Sequence, residues 1–150
     1  MTTTRSQRRD QPQLVLPHKF RELSVVDLAN MRESTAYSWL KRIRWPETEG
    51  EPYCPKCLNR RCYTMSRGRF KCSDKSCRAT FTATSGTAFH SRKLDFRRML
   101  IAIWYSANPG RGLVALQLSR AIGVNYRTAW ALRDKLRDAV TWAPEKADLE

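Results

Sequence analysis

Apolar residues along this chain change their spacing twice, and the changes divide it into three stretches. Ala36, Leu40 and Ile43 recur at helical spacing with Trp39 alongside, so a helix is predicted to about Arg44, where Pro46 stops it. Two starts precede it. Ser24 before Val25-Val26-Asp27 is the weaker capping box, and Asn30 before Met31-Arg32-Glu33 is the better one. From residue 53 to 89 the pattern shortens to β-branched and aromatic runs. Tyr63-Thr64-Met65 and Arg69-Phe70-Lys71 flank Ser66-Arg67-Gly68, which reads as a hairpin with Gly68 at positive φ. Ala79 to Thr84 alternates Thr with apolar residues and suits a third strand, ended by Ser85-Gly86-Thr87. Helical spacing returns from Leu94, where Phe96, Met99, Leu100, Ile103 and Trp104 form a broad stripe. Asn108-Pro109-Gly110 breaks it. A helix over about Leu113 to Ile122, a turn at Gly123 and a last helix from Tyr126 to about Trp142 complete the pattern.

The middle stretch holds all five cysteines. Cys54-Pro55-Lys56-Cys57 is one closely spaced pair, Cys72 and Cys77 are a second, and fourteen residues separate the pairs. Thiolates so spaced sit on tight knuckles that aim both sulfurs at one point, and two knuckles make a tetrahedral site for one structural zinc. Cys62 has no knuckle partner and falls where a hairpin strand begins, so it is left out of the set. An odd count argues against a disulfide framework, and a redox pair at Cys54 and Cys57 lacks its βαβ setting. His90 offers another ligand, but a lone His after a strand reads equally as a surface or packing residue. Residues 53–89 are too few to bury a real core, so the metal has to supply folding energy.

The expected fold is therefore mostly α with a small β zinc ribbon. Its parts are a disordered basic arm over residues 1–21, N-terminal helices over 22–52, a four-cysteine ribbon over 53–89, a helical helix-turn-helix region over 92–142 and a frayed tail over 143–150.

Charge sharpens this picture. Lys and Arg number 28 against 14 Asp and Glu, a net +14. Residues 54–98 hold twelve cations and two anions, net +10, whereas residues 99–150 carry seven and five, net +2. Clustered cations gain affinity for polyanions by releasing counterions from phosphates, so a double-stranded DNA partner is expected. Lys56, Arg60, Arg61, Arg67, Arg69, Lys71 and Arg78 are the candidate phosphate contacts of the ribbon. The longest apolar stretch, Met99 to Ala107, is too short for a membrane span, and no secretory signal is visible. A cytoplasmic, nucleoid-associated protein without a small-molecule substrate fits this reading.

The last two helices suit a helix-turn-helix. Leu118 and Ile122 face inward, Ser119 is small where helices cross, Gly123 makes the turn and Asn125 caps the second helix. Ala129, Leu132, Leu136 and Val140 line its inner face. Asn125, Tyr126, Arg127 and Thr128 start the helix whose N-terminal end would enter the major groove, and Arg133 and Arg137 lie farther along toward phosphate. An ordinary αα-hairpin remains open, and Trp130 reads as either core or contact.

Trp45-Pro46, Cys54-Pro55-Lys56-Cys57, Phe70-Lys71-Cys72, Cys77-Arg78, Phe81, Ser85-Gly86-Thr87-Ala88-Phe89 and Gly123-Val124-Asn125-Tyr126-Arg127-Thr128-Ala129-Trp130 follow in this order. Over about residues 20–142 this resembles the N-terminal half of the bacterial zinc-ribbon insertion-sequence transposases. The resemblance implies a ribbon and helix-turn-helix that recognise the element's terminal repeats, followed by a ribonuclease-H-like DDE domain for metal-dependent strand transfer. After Val140 the carboxylates are Glu145, Asp148 and Glu150, which cannot build that domain's metal site. The expectation is a DNA-binding module truncated before the catalytic domain, with no catalytic residues and no enzyme activity. Its partner would be a separately encoded catalytic half or a full-length transposase. A free-standing DNA-binding regulator or transposition repressor is the alternative. An RNA-binding or protein-docking ribbon is disfavoured by the helix-turn-helix and by the lack of a recognisable aromatic stacking platform.

Overall fold

The computed structural model describes residues 14–90, 93–107 and 115–143. Helix α1 (Val25–Asn30) starts at the weaker of the two expected boxes. The Asp27 N–H donates to Ser24 Oγ at 3.2 Å, and the Ser24 N–H donates to Asp27 Oδ2 at 2.9 Å. The box expected at Asn30 does not form. Asn30 is the last residue of α1, and α2 (Glu33–Arg44) begins after Arg32 with no side-chain cap. Glu33 serves another helix instead. Its carboxylate accepts the N–H groups of Phe96 at 3.1 Å and Arg97 at 3.2 Å, and the Arg97 side chain at 3.1 Å. Asp95 Oδ1 accepts the Arg98 N–H at 2.9 Å. Two carboxylates thus satisfy three of the free donors that open α3 (Phe96–Ala107), where the helix dipole also favours negative charge.

Helix α3 is the axis of the fold. Its residues Met99 to Ile103 are all buried, because α1, α2, α4 (Ala115–Ile122) and α5 (Tyr126–Ala139) pack around it. The α2 face Ala36, Leu40 and Ile43 is buried as its spacing predicts. Trp104, at the stripe's edge, donates its indole N–H to the Leu23 carbonyl at 2.9 Å. Leu118, Ser119 and Ile122 of α4 are buried, as are Ala129, Leu132 and Leu136 of α5. Gly123 joins the two helices at φ 68°, a conformation that strains any residue with a Cβ. The break at Asn108-Pro109-Gly110 and the start of the α4 helix at Leu113 lie outside the described residues.

The last helix ends earlier than its apolar spacing suggests. Val140, Thr141 and Trp142 leave α5 and form strand β5 (Val140–Trp142), parallel to β1 (Leu14–Leu16). All three residues are β-branched or aromatic groups that favour extended backbone, so Val140, assigned to the inner face of the helix, belongs to a strand. Leu14 and Leu16 are fully buried, as is Phe20 in the short 3-10 turn that follows. Residues 14–21 of the stretch read as a disordered arm are therefore ordered, and residues 1–13 lie outside the described residues. Ala143, expected in a frayed tail, donates its N–H to the Leu16 carbonyl at 2.8 Å, and residues 144–150 lie outside the described residues.

The ribbon is a three-stranded antiparallel sheet of β2 (Cys62–Thr64), β3 (Phe70–Cys72) and β4 (Thr80–Phe81), in that order. The hairpin tip has Gly68 at φ 68°, as expected, and Arg67 also in the left-handed region at φ 60°. The third strand is shorter than Ala79 to Thr84. Thr82 and Ser85 close a turn instead, with the Thr82 N–H donating to Ser85 Oγ at 2.8 Å. One face of the sheet docks on Trp45, the residue that ends α2. Trp45 is 1 % exposed and meets Phe70 at 5.8 Å and Phe81 at 6.2 Å, both edge to face. Among the described residues no helix is long and apolar enough to cross a membrane.

Candidate metal centre and nucleic-acid interface

Each cysteine pair is set by a turn. In the first, the Leu58 N–H donates to the Cys54 carbonyl at 2.9 Å, and Leu58 takes φ 62°. In the second, the Cys77 and Arg78 N–H groups donate to the Asp74 carbonyl at 3.1 and 2.9 Å, and Arg78 takes φ 48°. The residue after each outer cysteine is thus left-handed, which turns the chain back under the sulfur. Asp74 fixes the second turn by accepting the Ser76 N–H at 2.9 Å and the Ser76 hydroxyl at 2.8 Å. The four residues between Cys72 and Cys77, two more than in the first pair, accommodate this, because Cys72 comes from the end of β3 and only Asp74 to Cys77 forms the knuckle.

The two turns bring Cys54, Cys57, Cys72 and Cys77 together, with all four sulfurs within 4.8 Å of one another. Cys54 and Cys77 Sγ are 3.6 Å apart, and Cys57 and Cys72 Sγ are 3.5 Å apart. Tetrahedral thiolates around zinc stand about 3.8 Å apart at the usual bond length, so the set fits one closed structural zinc site. Cys62 is outside it. Cys62 lies across from Cys72 on the neighbouring strand, and its thiol donates to the Asn59 carbonyl at 3.5 Å.

Asn59 ties the centre to the sheet. Its side-chain amide donates to Ser73 Oγ at 3.0 Å and to Cys72 Sγ at 3.6 Å, and its Oδ1 accepts the Arg61 N–H at 3.1 Å. Its carbonyl accepts the Cys54 N–H at 2.9 Å. Spacing arguments that look for ligands pass over such a residue, and a polar side chain two positions beyond a knuckle is its only sequence trace.

The thiols are electrostatically incompatible as four free thiolates. Burial pushes Cys54 up, but the N–H groups of Cys57 and Lys56 and the neighbouring thiols outweigh it and leave it at about 7. The Asn59 N–H favours the Cys57 thiolate, yet burial and the Cys72, Cys54 and Cys77 sulfurs together push it up to about 12. One charge suppresses the next, and a divalent cation removes that conflict. The protein supplies the frame through Asn59 and Asp74, and the metal when bound locks the two knuckles together.

The cations singled out in the sequence lie at the surface of this frame. Lys56, Arg60, Arg61, Arg67, Arg69 and Arg78 are exposed, and Lys71 is half-buried. The two ion pairs among the described residues, Arg97–Glu33 and Arg98–Asp95, involve none of them. On α5 the Asn125 side chain accepts the Thr128 N–H at 2.8 Å and caps the helix. Tyr126, Arg127 and Arg137 are exposed, and Thr128 and Arg133 are half-buried. Trp130, read as core or contact, is 54 % exposed and belongs to the surface.

No curated protein and no solved structure matches this chain. Residues 31–80, which take in α2, its terminal Trp45 and the cysteine centre, match the family model of the transposase zinc-ribbon domain of the IS1595 group.

Proposed function

We propose that this chain is the DNA-binding module of an insertion-sequence transposase, in which the ribbon holds phosphate and α5 reads the terminal repeats. The observation that carries the reading is the match of residues 31–80 to a transposase zinc-ribbon domain whose exposed cations have no carboxylate partners among the described residues. Asn125, Tyr126 and Arg127 are exposed where α5 opens, with Thr128 half-buried beside them, the arrangement by which the second helix of a helix-turn-helix enters the major groove. Arg127 suits bidentate pairing with guanine, and Arg133 and Arg137 suit phosphate. The module acts in the cytoplasm on the nucleoid, alongside the catalytic part of a transposase. It performs no strand chemistry itself. Asp134 and Asp138 sit one turn apart on one exposed helix face, whereas two-metal catalysis needs carboxylates that converge from separate elements.

Site selection from a random duplex pool tests the reading. Arg127→Ala should relax preference at one base position, and Arg137→Ala should weaken binding to all sequences alike. Neutralising about six phosphates should cost on the order of 10³-fold in affinity between 50 and 200 mM salt. Unchanged preference in Arg127→Ala would remove the base-reading role from that arginine. Magnesium-dependent nicking that co-purifies with the folded chain would overturn the non-catalytic reading.

A further inference from the structure

The strand register assigns the outer face of the ribbon sheet. Tyr63 lies directly across from Lys71, and Lys71 lies across from Thr80. Directly opposed residues share a face. The ladder continues at both ends of β2, through the Met65 N–H to the Arg69 carbonyl at 2.7 Å and the Ser73 N–H to the Arg61 carbonyl at 3.1 Å. Period-two alternation then keeps Arg61, Met65 and Arg69 on the face of Tyr63 and Lys71. The opposite face carries Phe70 and Phe81 and is covered by Trp45. Tyr63 is 64 % exposed and Met65 37 % exposed.

This face is chemically one-sided. Arg61, Arg69 and Lys71 lie on it, and from Cys54 to Ser73 the chain has no carboxylate. Among the described residues, Tyr63 belongs neither to the apolar core nor to any ring pair, so packing gives no account of an aromatic at the middle of this cationic sheet. It is the composition with which proteins hold single strands: cations follow the phosphates, and an aromatic ring offers its face to a base. Duplex DNA keeps its base faces inside the stack, so the ring of Tyr63 can stack only on an unpaired base.

We infer that the outer face of the ribbon sheet binds single-stranded DNA, with Tyr63 stacking on a base and Arg61, Arg69 and Lys71 on the adjoining phosphates. The inference goes beyond duplex recognition by α5 and stands or falls separately from it. The test uses the zinc-loaded full chain and a fluorescently labelled short oligothymidylate, followed by anisotropy. Tyr63→Ala should weaken binding on the order of tenfold, the loss expected for one base–aromatic stack. Tyr63→Phe, which keeps the ring, should bind as the parent does, and zinc content should be unchanged in both. Arg127→Ala should leave oligothymidylate binding intact while it alters duplex preference. Undiminished binding by Tyr63→Ala would overturn the inference, as would an equal loss on duplex and single strand. Tighter binding of oligouridylate than of oligothymidylate would replace the DNA strand with RNA, and binding only to an acidic protein would dismiss nucleic acid from this face.

Discussion

The ribbon and the helical body solve the same problem by different means. Around α3, five consecutive buried residues meet side chains from four other helices, and the stability comes from apolar area removed from water. The ribbon has little of this. Its strands bury Phe70, Cys72 and Phe81, and its other face stays in solvent. The difference explains why charge concentrates where it does. A region held by a metal can present most of its surface to a polyanion, because it does not need that surface for a core. A region held by packing must turn one face of each helix inward and has only the remaining faces, that of α5 among them, to offer a partner.

The comparison breaks most sharply when the metal is withdrawn. Structural zinc contributes on the order of 10 kcal/mol to small four-ligand domains. Cys54→Ser, Cys57→Ser, Cys72→Ser or Cys77→Ser should each reduce zinc from one per chain to none and abolish amide protection in residues 54–81. Protection in α3 and α5 should survive. Cys62→Ser should keep the zinc. Because the ligands bind as thiolates, zinc is held at neutral and higher pH and released as pH falls, and chelation at neutral pH should mimic that loss. Metal analysis with hydrogen exchange checks each arm. Equal zinc loss in Cys62→Ser would overturn the ligand assignment, and collapse of α3 on chelation would erase the distinction between the regions.

Trp45 belongs to both regimes, and it is the next largest effect. It ends α2 and fills the inner face of the ribbon sheet. Trp45→Ala should cost about 3–5 kcal/mol. Unlike chelation, it should loosen the ribbon from α2 while zinc remains bound, so denaturation followed by ribbon and helix probes should separate into two transitions. A single unchanged transition would show that the regions do not depend on this contact.

What could be read from the sequence follows the same division. The four ligands, the hairpin with Gly68 and the cap at Asn125 are local: each is encoded by residues a few positions apart, and each is in place. The buried stripe of α2 is likewise local. Apart from the Thr82–Ser85 turn that shortens the third strand, the departures are long-range. Ser24 and Asn30 both offer caps, and only the approach of α3 to α2 decides that Glu33 leaves its own helix to serve Phe96 and Arg97. Leu14–Leu16 is three residues between two prolines, too short to carry a period, and it becomes a strand only because Val140–Trp142 lies beside it. The outer face of the ribbon was invisible for a related reason. Tyr63 looks like an ordinary strand aromatic until the register shows which face Trp45 leaves uncovered.

Glu33 tests the long-range part directly. Glu33→Ala leaves two N–H groups of α3 without partners and should lower stability by about 1–2 kcal/mol, measured by urea denaturation of the zinc-loaded chain. Glu33→Gln keeps one acceptor oxygen but not the charge, and should fall between. If Glu33 acted within its own helix, as a capping box at Asn30 requires, Asn30→Ala would cost as much. The structure has Asn30 at the end of α1 with no such bond, so Asn30→Ala should be close to neutral.

Asn125 has the smallest effect on folding and separates folding from binding most cleanly. Its Oδ1 accepts the Thr128 N–H, while the residue as a whole is exposed. Asn125→Ala removes the cap and should cost about 1 kcal/mol of stability. Asn125→Asp keeps an acceptor in the same place and adds negative charge at a helix N-terminus, where the dipole favours it, so stability should hold or rise by a few tenths of a kcal/mol. The same charge would face phosphate if this end of α5 enters the groove. Duplex binding should then fall in Asn125→Asp despite its sound fold, and the fall should shrink as salt screens the repulsion. Thermal melts beside a salt series of duplex affinities read both quantities on the same samples. Full duplex affinity in Asn125→Asp at low salt would place the start of α5 away from DNA and leave duplex binding to the ribbon.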